Sequence, residues 1–369
     1  MKLKTAGLLR SLVRSGKRMT KLLVAATAAP KPKTKRKRKP AAAPRVAAVA
    51  APRPRPAAQR AKPVAASHVP PSPGKWLASH LTASGHRMSY WLYLPNNIPE
   101  KALRNGLPLL VMLHGCQQTA TQFAQGTRMN HWAERMGYAV LYPQQLVSTH
   151  AQRCWKWYDR ATQEGGGDVP LIVGIVNKVL TEYAIDRSRI YIAGISAGAG
   201  MANIVALNHP RLFAAVGLHS GPVYGAGHST IGALGVMRHG AGSRAELAAR
   251  EVLIRQPQFP GMPAILIQGE DDGVVWPVNQ HQLARQSLLL NRLDGAPKTT
   301  DKPQGRGGRH NAHRLHDFYE GRKLLLRVAQ IADLEHAWSG GDPALAFNAK
   351  AGPDASKMML EFFSRHQRA

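Results

Sequence analysis

The chain is 369 residues long and 44% hydrophobic, with 50 Lys and Arg against 21 Asp and Glu, for a formal net charge of +29. This length and apolar content exclude a wholly disordered chain, and two cysteines exclude both a disulfide-dense miniature scaffold and a multi-cysteine zinc module. No apolar run approaches the roughly 18–20 residues of a membrane-spanning helix, which excludes an integral helical membrane protein.

The charge is unevenly placed. Residues 1–75 hold 20 Lys and Arg and no acid, leaving 30 basic and 21 acidic residues, a net of +9, in the other 294. Near the start, Leu9, Leu12 and Val13 fall on one helical face and Arg10, Arg14, Lys17 and Lys21 on another, a weak basic amphipathic pattern suited to an anionic surface. The apolar stretch Leu22–Ala29 is short and alanine-heavy, which makes it a weak secretory signal. Lys31 to Lys39 is almost wholly basic, and Pro52-Arg53-Pro54-Arg55-Pro56 continues the bias. Like charges repel, proline removes backbone donors, and alanine offers little to bury, so residues 1–75 read as a disordered tail. Such a tail contacts polyanions non-specifically. No helix-turn-helix or finger pattern accompanies it, which sets aside sequence-specific nucleic-acid recognition.

From residue 76 to 369 the periodicity is that of a single folded domain. Short apolar, β-rich runs occur at Met88–Leu94, Leu109–Leu113, Tyr138–Tyr142, Ile190–Ala193, Ala214–Leu218, Ala264–Ile267 and Leu324–Ile331. Helical stretches lie between or after them at Asn130–Met136, Val169–Tyr183, Ala197–Leu207, Val278–Leu290 and Asp354–His366. Continuous apolar runs mark strands covered on both faces, and their alternation with helices predicts an α/β fold with a mostly parallel sheet. Ligands in such sheets sit beyond the carboxyl ends of the strands, so reactive residues belong just after these runs.

Three places meet that expectation. Ile190–Ala193 runs into Gly194-Ile195-Ser196-Ala197-Gly198 and then a helix. A serine on a strand-to-helix turn adopts a strained backbone, and flanking glycines remove side chains that would clash. Ser196 is therefore the candidate nucleophile. Ala264–Ile267 leads into Gln268-Gly269-Glu270-Asp271-Asp272, where Asp271 and Asp272 compete to orient the base. After the last run comes Glu335-His336-Ala337-Trp338-Ser339-Gly340-Gly341, with His336 as candidate base. The chain order Ser, Asp, His is that of α/β-hydrolases. Oxyanion donors belong at the end of an earlier strand, where Leu109–Leu113 runs into His114-Gly115-Cys116-Gln117-Gln118. The Cys116 amide is one candidate and the Ala197 amide the second.

These residues resemble the esterase family of poly(3-hydroxybutyrate) depolymerases, which also includes feruloyl and acetylxylan esterases. The matching segments are Leu113 to Thr119, Cys154-Trp155-Lys156-Trp157-Tyr158, Gly194 to Gly198 and His336 to Gly341, and the similarity covers roughly residues 85–365. The resemblance implies an α/β-hydrolase fold with helices on both sheet faces, a Ser196–Asp272–His336 triad, and carboxylic-ester hydrolysis without a cofactor. It selects Asp272 over Asp271, because the family's HGxxDxxV motif aligns with Gln268, Gly269, Asp272 and Val275. Gln268 departs from the family's histidine, and Asp333 and Glu335 stand where glycine is common, which bears on pocket shape. The resemblance also implies a Cys116–Cys154 bridge and points to an extracellular protein. A cytoplasmic, granule-associated protein is the alternative.

Trp157 and Trp338 are the candidate substrate contacts, with Tyr158-Asp159 and Gly165–Gly167 beside Trp157 suggesting a cleft wall. Ser220, in Gly217-Leu218-His219-Ser220-Gly221, lacks the flanking glycine spacing and reads as pocket lining. His310, His313 and His316 share three-residue spacing, but they lie in a Gly/Arg-rich insertion that reads as an exposed loop, and no metal is expected. The substrate expected is poly(3-hydroxybutyrate) or its oligomers. The alternatives are a feruloyl or acetylxylan ester, or a non-catalytic protein that binds polyanions or granules through its basic tail.

Overall fold

The computed structural model describes residues 72–83, 85–306 and 310–368. The basic segment upstream, with its amphipathic pattern and the stretch Leu22–Ala29, lies outside the described residues.

The sheet is built around six parallel strands. They are β3 (Leu107–Leu113), β4 (Ala139–Gln144), β5 (Ile185–Ile195), β6 (Ala215–His219), β7 (Ala264–Gly269) and β10 (Lys323–Ile331), in the spatial order β4-β3-β5-β6-β7-β10. All seven residues of β3 and all six of β7 are buried. Successive side chains along a strand point to opposite faces. Leu109, Val111 and Leu113 accordingly join one apolar layer, while Leu110 and Met112 join the other.

Helices cover both layers. Helices α5 (Val169–Glu182), α6 (Ala197–Asn208), α8 (Arg244–Arg255) and α9 (Val278–Leu290) bring Ile172, Val176, Val205, Val252 and Leu283 to the first layer. Helices α2 (Ala120–Thr127), α3 (Met129–Met136) and α10 (Ala355–Phe363) bring Phe123, Met129, Met359 and Phe363 to the second. Shorter helices α1 (Glu100–Asn105), α4 (Arg160–Gln163) and α7 (Thr230–His239) sit in the connections. This is the expected α/β-hydrolase architecture.

Antiparallel strands extend the sheet at both edges. On the β4 side are β2 (His86–Leu94) and β1 (Lys75–Ala83), and on the β10 side are β9 (His313–Glu320) and β8 (Lys298–Lys302). This corrects the reading of the histidine triplet, because His313 and His316 belong to β9, a strand paired with both β10 and β8, and not to a loop. An odd offset along a strand sends the two side chains to opposite faces, so they do not share one ion. His316 meets Thr299 on β8, while His313 turns back to the Asn311 carbonyl. A two-stranded parallel pair, β11 (Trp338–Ser339) and β12 (Asn348–Ala349), follows β10. Among the described residues no helix is long and apolar enough to cross a membrane.

Candidate active site

Ser196 stands between β5 and α6 with φ +56° and ψ −125°, a conformation that L-residues rarely adopt. Its N–H donates to the His219 carbonyl at 3.0 Å and its carbonyl accepts from Gly200 at 3.1 Å, so both neighbours hold the turn. The flanking glycines are required by close approach. A Cβ on Gly194 would lie 2.6 Å from the Leu113 carbonyl oxygen, and one on Gly198 would overlap the carbonyl oxygens of Leu113 and His114. The Ser196 turn is thus pressed directly against the end of β3. Among the described residues the Ser196 hydroxyl makes no hydrogen bond.

The end of β3 is organised by His114, which is fully buried. Its Nε2 accepts from the Gln145 backbone N–H at 3.1 Å, which leaves the proton on Nδ1 to be donated to the Gly115 carbonyl at 2.8 Å. Burial pulls its pKa down to about 4, so the ring stays neutral near pH 7. The Trp155 indole N–H donates to the His114 carbonyl at 2.9 Å, and Cys116 is disulfide-bonded to Cys154. The Gly115 and Gln117 amides are engaged, by Gln118 Oε1 at 2.8 Å and the Gln152 carbonyl at 2.6 Å. Between them, the Cys116 amide has no backbone acceptor among the described residues. Ala197 is the first residue of α6, where amides lack an intrahelical partner.

Asp272 follows β7 and is 2% exposed, whereas Asp271 is exposed. Asp272 Oδ1 accepts from the Val274 and Val275 amides at 3.0 and 2.9 Å. Its Oδ2 lies 2.8 Å from His336 Nδ1 and accepts from Gln268 Nε2 at 2.9 Å. Burial alone would raise this carboxyl's pKa. The His336 hydrogen bond and charge, with the Val275 and Val274 amides, outweigh that and hold it below the ordinary carboxylate value. Gln268, the departure from the family pattern, supports the acid and also reaches the Val275 carbonyl at 2.8 Å.

His336 follows β10, three strands from β5, yet its loop folds back over β6. The Ser339 N–H donates to His219 Nε2 at 3.3 Å, and Trp338 stacks on the His219 ring at 5.0 Å. His219 is wholly buried, and burial, aided by the nearby His336, pulls its pKa down to about 3 against the opposing effect of Asp272. Because Nε2 accepts, Nδ1 carries the proton toward Ser220 Oγ, 3.1 Å away. His219 therefore touches the Ser196 turn through its carbonyl and the His336 loop through its ring. Sequence reasoning passed over it. The only signal was its position directly at a strand end, in a segment read as pocket lining.

The two tryptophans differ from expectation. Trp338 has no exposed surface, packs edge-on to Phe123 and donates its indole N–H to Ser356 Oγ at 3.1 Å. Trp157 is 5% exposed and lies against Gly200 of α6, so little of either ring faces solvent. Ser220 is wholly buried. Among the described residues no group of three or more His, Cys, Asp or Glu could hold a metal ion.

Residues 88–307 match the family described as Esterase PHB depolymerase. The probable acetylxylan esterase A of Aspergillus fumigatus is 29% identical over 205 residues, 53% of each chain. Feruloyl esterase B of Neurospora crassa is 35% identical over 152 residues, 39% of this chain and 51% of the relative. The poly(3-hydroxybutyrate) depolymerase of Ralstonia pickettii is 31% identical over 174 residues, 43% of this chain and 35% of the relative. The chain spans about half the length of the curated relatives it matches. An acetyl xylan esterase structure from Aspergillus awamori shares the fold, with a TM-score of 0.61 at 20% identity, over 78% of this chain and 99% of that one.

Proposed function

The chain belongs to the esterase family of PHB depolymerases, and on that premise we propose that residues 76–369 form a serine esterase acting through Ser196, His336 and Asp272. His336 takes the proton from the Ser196 hydroxyl as that oxygen attacks the ester carbonyl. The Cys116 and Ala197 amides stabilise the oxyanion, and His336 returns the proton to the leaving alcohol. Water, deprotonated by His336, then releases the acid and restores the serine. Asp272 fixes the His336 tautomer with the proton on Nδ1, which leaves Nε2 free to act as base.

The observation that carries this reading is the hydrogen bond between His336 and a buried, fourfold-bonded Asp272, at the same sheet edge as the strained Ser196 turn. The substrate we favour is poly(3-hydroxybutyrate) or its oligomers. The basic residues 1–75 supply a second, additive role, which is to hold the enzyme on an anionic surface and raise its effective concentration there.

Hydrolysis of p-nitrophenyl butyrate by wild type and Ser196→Ala tests the chemistry, and equal rates would refute it. Hydroxybutyrate oligomers, feruloyl esters and acetylxylan, assayed side by side, test the acyl group. Preference for either of the last two overturns the polyester assignment but leaves the esterase reading standing.

A further inference from the structure

A cleft of mixed polar and apolar lining lies at the carboxyl edge of the sheet, outside the site just described. Its cavity of about 490 Å³ is bounded by the start of β2, the segment after β4, and the stretch from Lys156 to Asp168. β2 runs antiparallel to β4, with Ser89 opposite Gln144, so the start of β2 lies beside the end of β4. The end of β4 is two strand spacings, about 10 Å, from the end of β5, where Ser196 sits. The volume is that of a small-molecule site.

Its charges are unequally committed. Asp159 Oδ2 accepts from the Thr162 amide and hydroxyl, both at 2.9 Å. Asp168 Oδ2 accepts from Gln145 Nε2 at 2.6 Å, and burial raises the Asp168 pKa against that hydrogen bond and the nearby charges of Lys156 and His86. Arg87 and Lys156 are exposed on the rim and pair with no carboxylate among the described residues. Met88 and Leu171 give the wall apolar surface. Two exposed cations without a salt bridge, over an apolar wall, suit a ligand with an aliphatic body and an anionic end.

We propose that this cleft is a subsite for the free carboxylate end of a linear hydroxyacid oligomer, held by Arg87 and Lys156 while an internal ester reaches Ser196. The inference rests on the esterase reading and names the end of the substrate that this enzyme recognises. A linear oligomer of hydroxyacid esters has one carboxylate terminus, so recognising it sets the direction in which the chain lies. Gln145 also lines the cleft, and its backbone amide holds His114, so the bound terminus lies against the element that supports the oxyanion loop.

The test uses the full chain and the double variant Arg87→Gln/Lys156→Gln, whose altered side chains are exposed and make no described hydrogen bond. Three substrates are compared, namely a 3-hydroxybutyrate trimer acid, its methyl ester and p-nitrophenyl butyrate. The expected result is a KM about tenfold higher for the acid alone, the effect of losing hydrogen bonds to a charged group. Unchanged KM for the acid, or an equal rise for the methyl ester, overturns the proposal. If wild type hydrolyses none of the three, the esterase reading fails on its own account. The cleft is then judged by calorimetric binding of the trimer acid, where equal affinity of wild type and variant refutes it.

Discussion

Replacing Cys116 and Cys154 together by alanine removes the bridge without leaving a reactive thiol. The bridged residues are 38 apart in sequence. In the chain-entropy account a cross-link of that span restricts the unfolded ensemble by about 4 kcal/mol at 25 °C. The assay is urea unfolding of wild type, wild type with reductant, and Cys116→Ala/Cys154→Ala. Because the unbridged denatured chain is more expanded, m should rise slightly, and the comparison must use the free energy extrapolated to water and not the midpoint alone. The variant and the reduced wild type should coincide, both about 4 kcal/mol below the oxidised protein. The same bridge braces the Cys116 amide against the Trp155 segment, so hydrolysis of p-nitrophenyl butyrate should fall by up to about 100-fold while the variant is still folded, approaching the loss of one oxyanion donor. Equal unfolding free energies for oxidised and reduced protein would refute the entropic reasoning. Full activity in the variant would show that the bridge does not position the loop.

Ser196→Ala should abolish p-nitrophenyl butyrate hydrolysis, by about 10³-fold or more, with little change in melting temperature. Gly198→Ala should destabilise by about 3 kcal/mol or more, because its Cβ overlaps two backbone carbonyls that have no room to retreat, a result read by thermal unfolding. Asp272→Asn should lower kcat by about 10⁴-fold. The Asp272 pKa is depressed on folding, so its contribution is present above the unfolded carboxylate value of about 3.9 and lost as pH falls through the folded value. The stability gap between wild type and Asp272→Asn should therefore be largest near neutrality and close in acid unfolding series. His219→Phe keeps an aromatic ring on Trp338 but strips the acceptor from the Ser339 amide, a cost of about 1–3 kcal/mol. We expect kcat to drop with KM nearly unchanged, and the inflections of the pH–rate profile to stay where wild type has them, because His219 is neutral above its pKa of about 3.

The six central strands and the longer helices were legible because burial on both faces writes unbroken apolar runs such as Leu109–Leu113 and Ala264–Ile267. The outer antiparallel strands β8 and β9 were not. Lys298–Lys302 is largely exposed and carries Lys, Thr and Asp, and His313–Glu320 mixes histidine and charge, so neither stands out against loop composition. Ser196, Asp272 and His336 were readable as candidates because each lies within five residues of a strand end, in the chain order of α/β-hydrolases. The supports around them were not, since they act through atoms that residue type does not reveal. The carbonyl of His219 fixes Ser196, the backbone amide of Gln145 fixes His114, and the Gln268 amide stands in for an expected histidine beside Asp272. Tryptophan misled for a related reason. Trp338 sits in a motif beside the proposed base, but its ring serves as packing beneath that loop.

The contact between Gly198 and the carbonyls closing β3 has an evolutionary corollary. Where two main-chain segments interlock without any intervening side chain, the spacing between the Ser196 turn and the end of β3 is inherited from the scaffold. Drift and selection can then remodel loops that touch neither segment, whereas residues 145–168 carry the Gln145, Gln152, Cys154 and Trp155 contacts to the end of β3 and are not free to vary as a block. Redesign of substrate range in this scaffold is best attempted at the exposed positions of that segment, with those four contacts and the glycine turn untouched.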